Sequence, residues 1–368
     1  MKSEEIIINL KNVTKAFGDF KAIDNVSLEI PKGSFTTLLG PSGCGKTTLM
    51  RLIAGFYEPD GGNIYIEGKN VNGLPAYKRS TPLVFQEYAL FPHMTVFENI
   101  SYGLKLRKES RTEIEKKVAS MLEMFNLSGM ENRFPKQLSG GQQQRVAFAR
   151  ALVTGQKILL LDEPLSNLDA KLRVEVRNEL RAIQQRLGIT AVFVTHDQDE
   201  ALSMSDMIAV LDKGCICQVG TPWEVYFKPV NEFVANFVGV ANFITCEVLD
   251  IEEDITVKYE EFIIKLDKSN YSVSKGEKVN LVIRPECIAL TQDDNTLSKN
   301  DKGNRLGWNI MSGEIITSSF LGRMIRYWVR VQDKQFTVDD SNPSLNGHLQ
   351  GKVSIEFDKK KIHILPSV

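Results

Sequence analysis

The 368-residue sequence contains no apolar run that approaches the ~18 to 20 residues a membrane-spanning helix needs. Its start is also too short and too acidic for a signal peptide, with Ile6–Ile8 the only apolar stretch after Met1–Glu5. An excess of positive charge is absent as well, because 45 Lys and Arg residues stand against 46 Asp and Glu residues. This balance argues against a nucleic-acid-binding surface. We therefore expect a cytosolic chain that binds no nucleic acid and needs a separate subunit for any work in a membrane.

Cysteine and histidine are scarce, with five and four residues respectively, and none of them is spaced as a zinc cluster. Cys215 and Cys217 alternate along a predicted strand, whereas Cys246 and Cys287 are isolated. We expect these thiols to be small, buried apolar groups rather than parts of a disulfide framework. Cys44 is of separate interest because it lies inside a glycine-rich segment.

That segment matches the phosphate-loop pattern G-x-x-x-x-G-K-[ST] at every fixed position. An apolar run, Phe35–Leu39, precedes it as a buried strand would, and Thr48–Ala54 follows as a predicted helix. Loop N–H groups and a helix N-terminus together attract phosphate. Lys46 can reach the β- and γ-phosphates of a nucleotide, and the Thr47 hydroxyl can bind Mg²⁺. The loop residues are Gly40, Pro41, Ser42, Gly43, Cys44, Gly45, Lys46 and Thr47.

An acidic pair ends a second apolar run. The run Ile158–Leu161 is typical of a parallel strand buried on both faces, and Asp162 and Glu163 follow at its carboxyl end. Open α/β sheets bind ligands at that end. Two carboxylates there are costly to bury without a cation or a catalytic task. We expect Asp162 to lie near Mg²⁺ and Glu163 to act on the attacking water.

A second glycine-rich segment, Leu138–Gln142, reads Leu-Ser-Gly-Gly-Gln and opens a helix predicted over Gln142–Leu152. A hydroxyl and glycine amides at a helix start form another anion-binding surface. The chain thus has two phosphate-binding surfaces but one predicted nucleotide pocket. A dimer in which each copy offers its second surface to the other is the economical solution, although spacing alone does not establish it.

Together these motifs resemble the ATP-binding subunit of an ATP-binding-cassette (ABC) transporter. The resemblance implies an α/β fold, a P-loop ABC ATPase domain with a helical subdomain, and a head-to-tail homodimer that binds ATP and Mg²⁺. It implies that Gln86 senses Mg²⁺ and the attacking water, that Ser166–Asp169 crosses the dimer interface and that His196 lies near the γ-phosphate. Phe17 matches the aromatic that stacks on adenine, and Phe20 is a weaker candidate; core packing is the alternative for such residues.

The residues expected in the site fall into three groups that share members. The predicted catalytic residues are Glu163, His196, Gln86 and Lys46, and the predicted metal ligands are Thr47, Gln86 and Asp162. The predicted nucleotide contacts are Phe17, Gly40, Pro41, Ser42, Gly43, Cys44, Gly45, Lys46, Thr47, Thr48, Ser139, Gly140, Gly141, Gln142 and Asp169.

The predicted pattern of secondary structure changes after about Gly239. Residues 1–239 alternate strands and helices, with a helical subdomain at about 87–156, whereas 240–368 show short strands separated by turns. We expect a small all-β, OB-like domain there, with a loop over Thr291–Gly307. The segment Gln218–Pro222 and Arg284–Glu286 resemble importer ATPases that carry a C-terminal regulatory (TOBE) domain.

That resemblance implies two integral-membrane permease subunits, indirect work with an extracytoplasmic solute-binding protein, and a location on the cytoplasmic face of the membrane. Exposed residues after Gln86, including His93, are predicted to contact the permeases; a structural role for His93 is the alternative. The segments Leu83–Val96 and Phe320–Arg323 resemble the polyamine (spermidine/putrescine) branch most. Ferric iron, phosphonate, sulfate or a sugar remains possible as the solute. A soluble ABC ATPase acting on DNA or ribosomes is disfavoured, because the chain has one cassette and no coiled-coil insertion.

Overall fold

A computed structural model describes residues 5–268, 271–292, 307–343 and 347–366. The chain divides between Pro222 and Trp223 into two compact units, and each unit has its own hydrophobic core. No helix in those ranges is both long enough and apolar enough to cross a bilayer.

The first unit combines two sheets with six helices among its described residues. Its strands are β1 (Ile6–Phe17), β2 (Phe20–Pro31), β3 (Phe35–Leu39), β4 (Gly61–Ile66), β5 (Lys69–Asn70), β6 (Leu83–Val84), β7 (Ile158–Asp162), β8 (Thr190–Thr195), β9 (Met207–Asp212) and β10 (Cys215–Gly220). Its helices are α1 (Lys46–Ala54), α2 (Val96–Leu106), α3 (Arg111–Met124), α4 (Gly140–Leu152), α5 (Ala170–Leu187) and α6 (Gln198–Met204).

The main sheet has the strand order β10-β9-β3-β8-β7-β6. Strands β9, β3, β8, β7 and β6 are parallel, and only β10 runs antiparallel to its neighbour. Along β7, Ile158 and Leu160 face one core while Leu159 and Leu161 face another. The predicted strand buried on both faces is therefore confirmed, and so is the α/β class. A second, antiparallel sheet has the order β2-β1-β4-β5.

The predicted helical insert is present, because α2, α3 and α4 all lie between β6 and β7 in the chain. Both glycine-rich segments enter their helices two residues earlier than the apolar pattern predicts, at Lys46 and at Gly140. In α5, Ile183 is buried, whereas Leu187 in the last turn is exposed. The helix ends at Gly188, which has a left-handed backbone.

The second unit is built from strands after two short helices, of which α7 (Pro222–Phe227) spans the division and α8 is Glu232–Val238. The strands are β11 (Asn242–Ile251), β12 (Asp254–Tyr259), β13 (Phe262–Asp267), β14 (Lys278–Ile283), β15 (Ile288–Gln292), β16 (Trp308–Phe320), β17 (Ile325–Val331), β18 (Lys334–Asp340), β19 (Lys352–Asp358) and β20 (Ile362–Ile364).

These strands form two five-stranded antiparallel sheets, ordered β13-β12-β11-β14-β20 and β15-β19-β16-β17-β18. Both sheets contribute to one apolar core. The prediction of a C-terminal all-β region is therefore confirmed. The predicted loop over Thr291–Gly307 is wrong at its start, because Thr291 and Gln292 pair with β19; residues 293–306 of that prediction lie outside the described residues.

Arg284 explains why the second unit begins before Gly239, the boundary that the change in sequence pattern predicted. The Arg284 guanidinium donates hydrogen bonds to the carbonyl oxygens of Tyr226, Ala235 and Val240, at 2.6–3.0 Å. It also lies 4.1 Å from the centre of the Tyr226 ring. Arg284 thus joins residues on both sides of Gly239 within the second unit.

Candidate active site

Four predicted site segments leave the same edge of the main sheet. Parallel strands β3, β8, β7 and β6 lie side by side, so their carboxyl ends are adjacent. The phosphate loop follows β3, His196 follows β8, Glu163 follows β7 and Gln86 follows β6. Ligands of open α/β sheets bind at this edge. The topology therefore gathers residues that lie far apart in the sequence.

Lys46 is held inside the phosphate loop. It is the first residue of α1 and is 4% exposed. Its Nζ donates hydrogen bonds to the carbonyl oxygens of Gly40 and Pro41, at 2.7 and 2.8 Å. The ammonium group is therefore fixed where the loop wraps, which is the position from which it can meet a phosphate oxygen.

Position 45 requires glycine for two reasons, its backbone conformation and the lack of space for a Cβ. Its φ of 108° lies in the region that side chains rarely adopt, and a Cβ there would lie 2.4 Å from the Ala22 carbonyl oxygen. This close approach brings β2 against the loop, and β2 pairs with β1 at Phe17 and Phe20. Phe17 is 45% exposed and packs edge-on against Tyr57, with ring centres 5.3 Å apart. The Phe17 ring is therefore exposed at the pairing of β1 with β2, the strand that approaches the loop. Phe20 is exposed as well.

Thr47 and Asp162 meet across the site. The Thr47 Oγ1 donates a hydrogen bond of 3.0 Å to Asp162 Oδ1. Burial raises the pKa of the Asp162 carboxyl, and the bond from Thr47 opposes that rise. A cation bound at this carboxylate would offset the cost of burying its charge. A hydroxyl and a carboxylate suit Mg²⁺, which usually takes few protein ligands and completes its shell with phosphate and water. No described cluster of three or more His, Cys, Asp or Glu residues offers a closed metal cage.

Glu163 faces His196. The Glu163 Oε2 and His196 Nδ1 atoms are 3.1 Å apart, and both side chains keep access to solvent. Glu163 has a left-handed backbone with φ of 45°, and its N–H donates to the Val194 carbonyl. Such a conformation is unfavourable for a residue with a side chain and is concentrated at functional sites. The turn directs the carboxylate out of the strand and toward the residue that follows β8.

A buried network behind His196 escaped the sequence analysis. The Thr195 Oγ1 donates a 2.6 Å hydrogen bond to Glu200 Oε2 and accepts one of 3.0 Å from the Asp197 N–H. Burial raises the pKa of Glu200, and Arg173 lies 3.8 Å from its second oxygen. The network fixes the turn that carries His196. Its one sequence signal was the acid at the start of α6, which is also a common helix cap.

Gln86 and Asp169 are placed differently from the residues above. The Gln86 side chain is exposed, and the backbone carbonyl oxygen of Gln86 accepts a 3.1 Å hydrogen bond from Asn167 Nδ2. Asp169 caps α5, accepting a 2.9 Å bond from the Leu172 N–H. The structure thus joins the Gln86 turn to the segment Ser166–Asp169. The roles of Gln86 in metal binding and of Asp169 in nucleotide contact stay predictions.

The second glycine-rich segment forms a capped helix start. Ser139 and Gln142 make a reciprocal capping box, with the Ser139 N–H donating to Gln142 Oε1 at 3.0 Å. Ser139 and Gly140 are exposed. Gly141 is buried, and a Cβ there would lie 3.0 Å from Leu172. A solvent-facing hydroxyl and amide are therefore presented at the N-terminus of a 13-residue helix.

The cysteines are not all buried as expected. Cys44, Cys246 and Cys287 are buried and Cys217 is partly so, but Cys215 is exposed. The expectation is wrong for Cys215 because β10 is the edge strand of the main sheet. Burial raises the pKa of the Cys44 thiol, although Lys46 opposes this.

We expect a maleimide at about pH 7 to alkylate Cys215 well before Cys44, because a buried thiol with a raised pKa is rarely a thiolate. Loss of ATPase activity should follow the slow Cys44 reaction, and ATP should delay it. Raising the pH should speed the slow reaction by up to about tenfold per unit. Mass spectrometry of timed samples would assign each site, with Cys215→Ser as the control. Equal labelling rates, or unchanged inactivation in Cys44→Ser, would contradict the assignment.

Known proteins are similar to this chain in sequence. The family model "ABC transporter" matches residues 23–166. The spermidine/putrescine import ATP-binding protein PotA of Thermotoga maritima is 44% identical over 330 residues, covering 89% of this chain and 87% of that protein. The Fe(3+) ions import ATP-binding protein FbpC of Brucella suis is 44% identical over 358 residues and covers 97% of both chains.

Solved structures of ATP-binding cassettes are similar to part of this chain. The ATP-binding cassette MJ0796, in a dimeric post-hydrolysis state bound to ADP and phosphate, is 35% identical with a TM-score of 0.53. It covers 59% of this chain and 99% of its own. The ADP conformation of the cassette MJ1267 is 29% identical with a TM-score of 0.56, covering 63% of this chain and 98% of its own.

Proposed function

The chain belongs to the ATP-binding subunits of ABC importers, which hydrolyse ATP, and we propose that two copies of it energise the import of a polyamine. The proposed roles of the residues rest on one observation. The four strand ends that hold the phosphate loop, His196, Glu163 and Gln86 lie at one edge of the sheet.

Nucleotide binding is assigned to the loop and the hairpin beside it. The N–H groups of 40–48 would surround the phosphates, and Lys46 would neutralise charge on the β- and γ-phosphates. The exposed face of Phe17 would stack on adenine. Thr47 and Asp162, with Gln86 as a further oxygen donor, would hold Mg²⁺. When bound, that ion would neutralise charge on the phosphate oxygens.

Hydrolysis is assigned to Glu163 and His196. The Glu163 carboxylate would orient the attacking water and accept its proton as the water oxygen attacks the γ-phosphorus. The bond between that phosphorus and the oxygen bridging it to the β-phosphate would break, so ADP leaves with the bridging oxygen. The His196 Nδ1 lies 3.1 Å from that carboxylate, and the ring would lie near the γ-phosphate. Both groups stand on turns that leave adjacent strands, so their separation is set by the sheet.

The second phosphate-binding surface is assigned to a partner copy. Ser139 and Gly141 of one copy would contact the γ-phosphate held by the other, and Asp169 would lie at the same interface. The exposure of Ser139 at a helix N-terminus supports this arrangement. The similar cassette MJ0796 is dimeric with ADP and phosphate bound.

The membrane partners are assigned from the relatives' role in import. Two permease subunits would hold the dimer at the cytoplasmic face, and a solute-binding protein would deliver the solute outside. The exposed segment after Gln86, with His93 at its surface, would contact the permeases. The second unit would regulate the dimer or support it, because the proposed nucleotide contacts all precede Gly239.

The solute is proposed from similarity alone, because an ATPase subunit need not touch what is transported. Relatives named for polyamines and for ferric iron are 43–45% identical to this chain, so ferric iron is the second candidate. The segments Leu83–Val96 and Phe320–Arg323 favour the polyamine branch.

We expect spermidine to stimulate ATP hydrolysis by the importer reconstituted in liposomes with its permeases and binding protein. A stimulation of about 5- to 150-fold corresponds to the usual range of coupling between sites. Phosphate release would be measured with spermidine, ferric iron, sulfate, phosphonate and maltose in turn. Stimulation by ferric iron alone would replace the polyamine assignment. No stimulation by any solute would contradict the transport role.

A further inference from the structure

Arg150, which no step above uses, joins helix α4 to the chain that follows Gln86. It lies in the last turn of α4, and its guanidinium donates to the carbonyl oxygens of Ala89 and Tyr88 at 2.7 and 2.9 Å. The guanidinium carbon also lies 5.4 Å from the centre of the Phe91 ring. Burial lowers the pKa of Arg150. A planar fork suits this pair of oxygens in a way that a lysine cannot match.

The backbone that Arg150 holds is strained. Tyr88 and Ala89 both have a left-handed conformation, with φ of 61° and 47°. Consecutive residues of this kind persist only when the surroundings determine them. The Tyr88 side chain is buried, and both carbonyl oxygens point to the same guanidinium. Arg150 therefore contributes directly to the path of this turn.

The same segment is tied to a second helix at its other end. The Asn99 side chain, fully buried in α2, donates to the carbonyl oxygens of Phe91, Met94 and Thr95 and accepts from the Phe91 N–H. Residues 88–95 are thus bonded to the helical insert at both ends. Gln86, by contrast, is bonded to Asn167 beside the catalytic turn. Within two residues, from Gln86 to Tyr88, the chain passes from contact with the catalytic turn to contact with the helical insert.

Helix α4 itself extends from this segment to the hydrolytic turn. Near its start, the buried Gln144 donates a 3.0 Å hydrogen bond to the Pro164 carbonyl, one residue after Glu163. Its N-cap is Ser139. A rigid helix that is held at one end by 88–89 must carry any displacement of that turn to its other end.

We propose that Arg150 is a positioning residue that transmits movement of the segment 88–94 to Ser139 and the turn after Glu163. The proposal rests on the proposed function, in which permeases contact 88–94. Arg150 touches neither nucleotide nor water in this role. It makes the permease-facing segment and the second phosphate-binding surface move as one body.

The test compares Arg150→Lys with Arg145→Lys in the reconstituted importer. Arg145 is the matched control because it lies on the same helix but pairs with Glu179, at 2.9 Å. We expect Arg150→Lys to keep ATP affinity and the rate without solute within about twofold. Solute stimulation should fall by about tenfold, within the usual range of coupling effects. Arg145→Lys should keep the stimulation.

A second measurement uses the isolated chain and needs no permease. In a Glu163→Gln background, hydrogen exchange with and without ATP should show ATP-dependent protection at 88–94 and at 40–47. Arg150→Lys should lose the first and keep the second. If Arg150→Lys does not fold, Phe91→Leu weakens the same link without burying an unpaired charge, and should lower stimulation by about two- to fivefold.

The outcomes separate the two proposals. Unchanged stimulation together with unchanged exchange at 88–94 overturns the role of Arg150. A parallel loss of ATP binding, unstimulated rate and stimulated rate overturns it too, because Arg150 would then only support the fold. If no solute stimulates the unmodified importer, the transport role fails, while the exchange comparison still decides whether Arg150 connects the two segments.

Discussion

Replacing Glu163 with glutamine is expected to slow ATP hydrolysis by about 10²- to 10⁴-fold, the usual effect of losing a general base. Glutamine has nearly the same shape and can keep the contact to His196, but it cannot accept the proton from water. ATP binding should therefore remain, and the closed dimer should accumulate because hydrolysis no longer reopens it. Phosphate release would measure the first effect, and size-exclusion chromatography with ATP the second.

Two comparisons make that result specific. Glu67→Gln changes an exposed carboxylate that pairs with Lys157, and should leave hydrolysis unchanged. Ser139→Arg places a large side chain at the exposed N-cap, so it should prevent the ATP-dependent dimer while each copy still binds ATP. If Glu163→Gln keeps its rate, or Ser139→Arg still dimerises with ATP, the two-surface mechanism is wrong. The assembled importer would replace isolated subunits if these associate weakly.

Replacing Lys46 with alanine should abolish hydrolysis and weaken ATP binding by about 10- to 100-fold, the usual effect of losing a hydrogen bond to a charged group. The substitution also leaves the Gly40 and Pro41 carbonyls without the bonds that Nζ donates. Some loss of stability, about 1–3 kcal/mol, should accompany it. Melting curves with and without ATP separate the two effects, because only bound ligand makes the melting temperature depend on ATP concentration.

The control for Lys46 is Lys32→Ala, which removes an exposed lysine paired with Glu5. This variant should keep both the hydrolysis rate and the ATP-dependent rise in melting temperature. A Lys46→Ala protein that hydrolyses ATP at the unmodified rate would remove the phosphate loop from the mechanism.

The local sequence pattern was sufficient to predict the strands that lead into the candidate active site. The strand Phe35–Leu39 has the predicted bounds, because its aromatic, β-branched and aliphatic residues favour a strand and Gly40 ends it. The acidic end of β7 could also be predicted, because Asp162 and Glu163 directly follow an apolar run. Helix starts were less certain, because both glycine-rich segments begin their helices earlier than the apolar stripe. At α4 the Ser139 capping box rather than burial decides the first turn. At α1 the left-handed Gly45 precedes Lys46 and no side chain caps the helix.

Contacts between distant segments could not be read in this way. The pairing of Glu163 with His196 depends on β7 and β8 being neighbours in the sheet, and 33 positions separate these residues in the chain. The hydrogen bond between Thr195 and Glu200 could not be predicted, because an acidic residue at a helix start is common. The contacts of Arg150 could not be predicted either, because an arginine in an amphipathic helix usually faces solvent.

The sequence by itself determined the class of the protein, its phosphate-loop motif, its acidic strand end and its second glycine-rich helix start. These features follow from backbone conformations and spacings within a dozen residues, which local chemistry specifies. Only the tertiary structure decided that Thr47 meets Asp162, that Glu163 meets His196, and that Arg150 holds the turn at Tyr88 and Ala89. Each of these contacts depends on strand order or helix packing, which is set by burial summed over the whole unit rather than by any one segment.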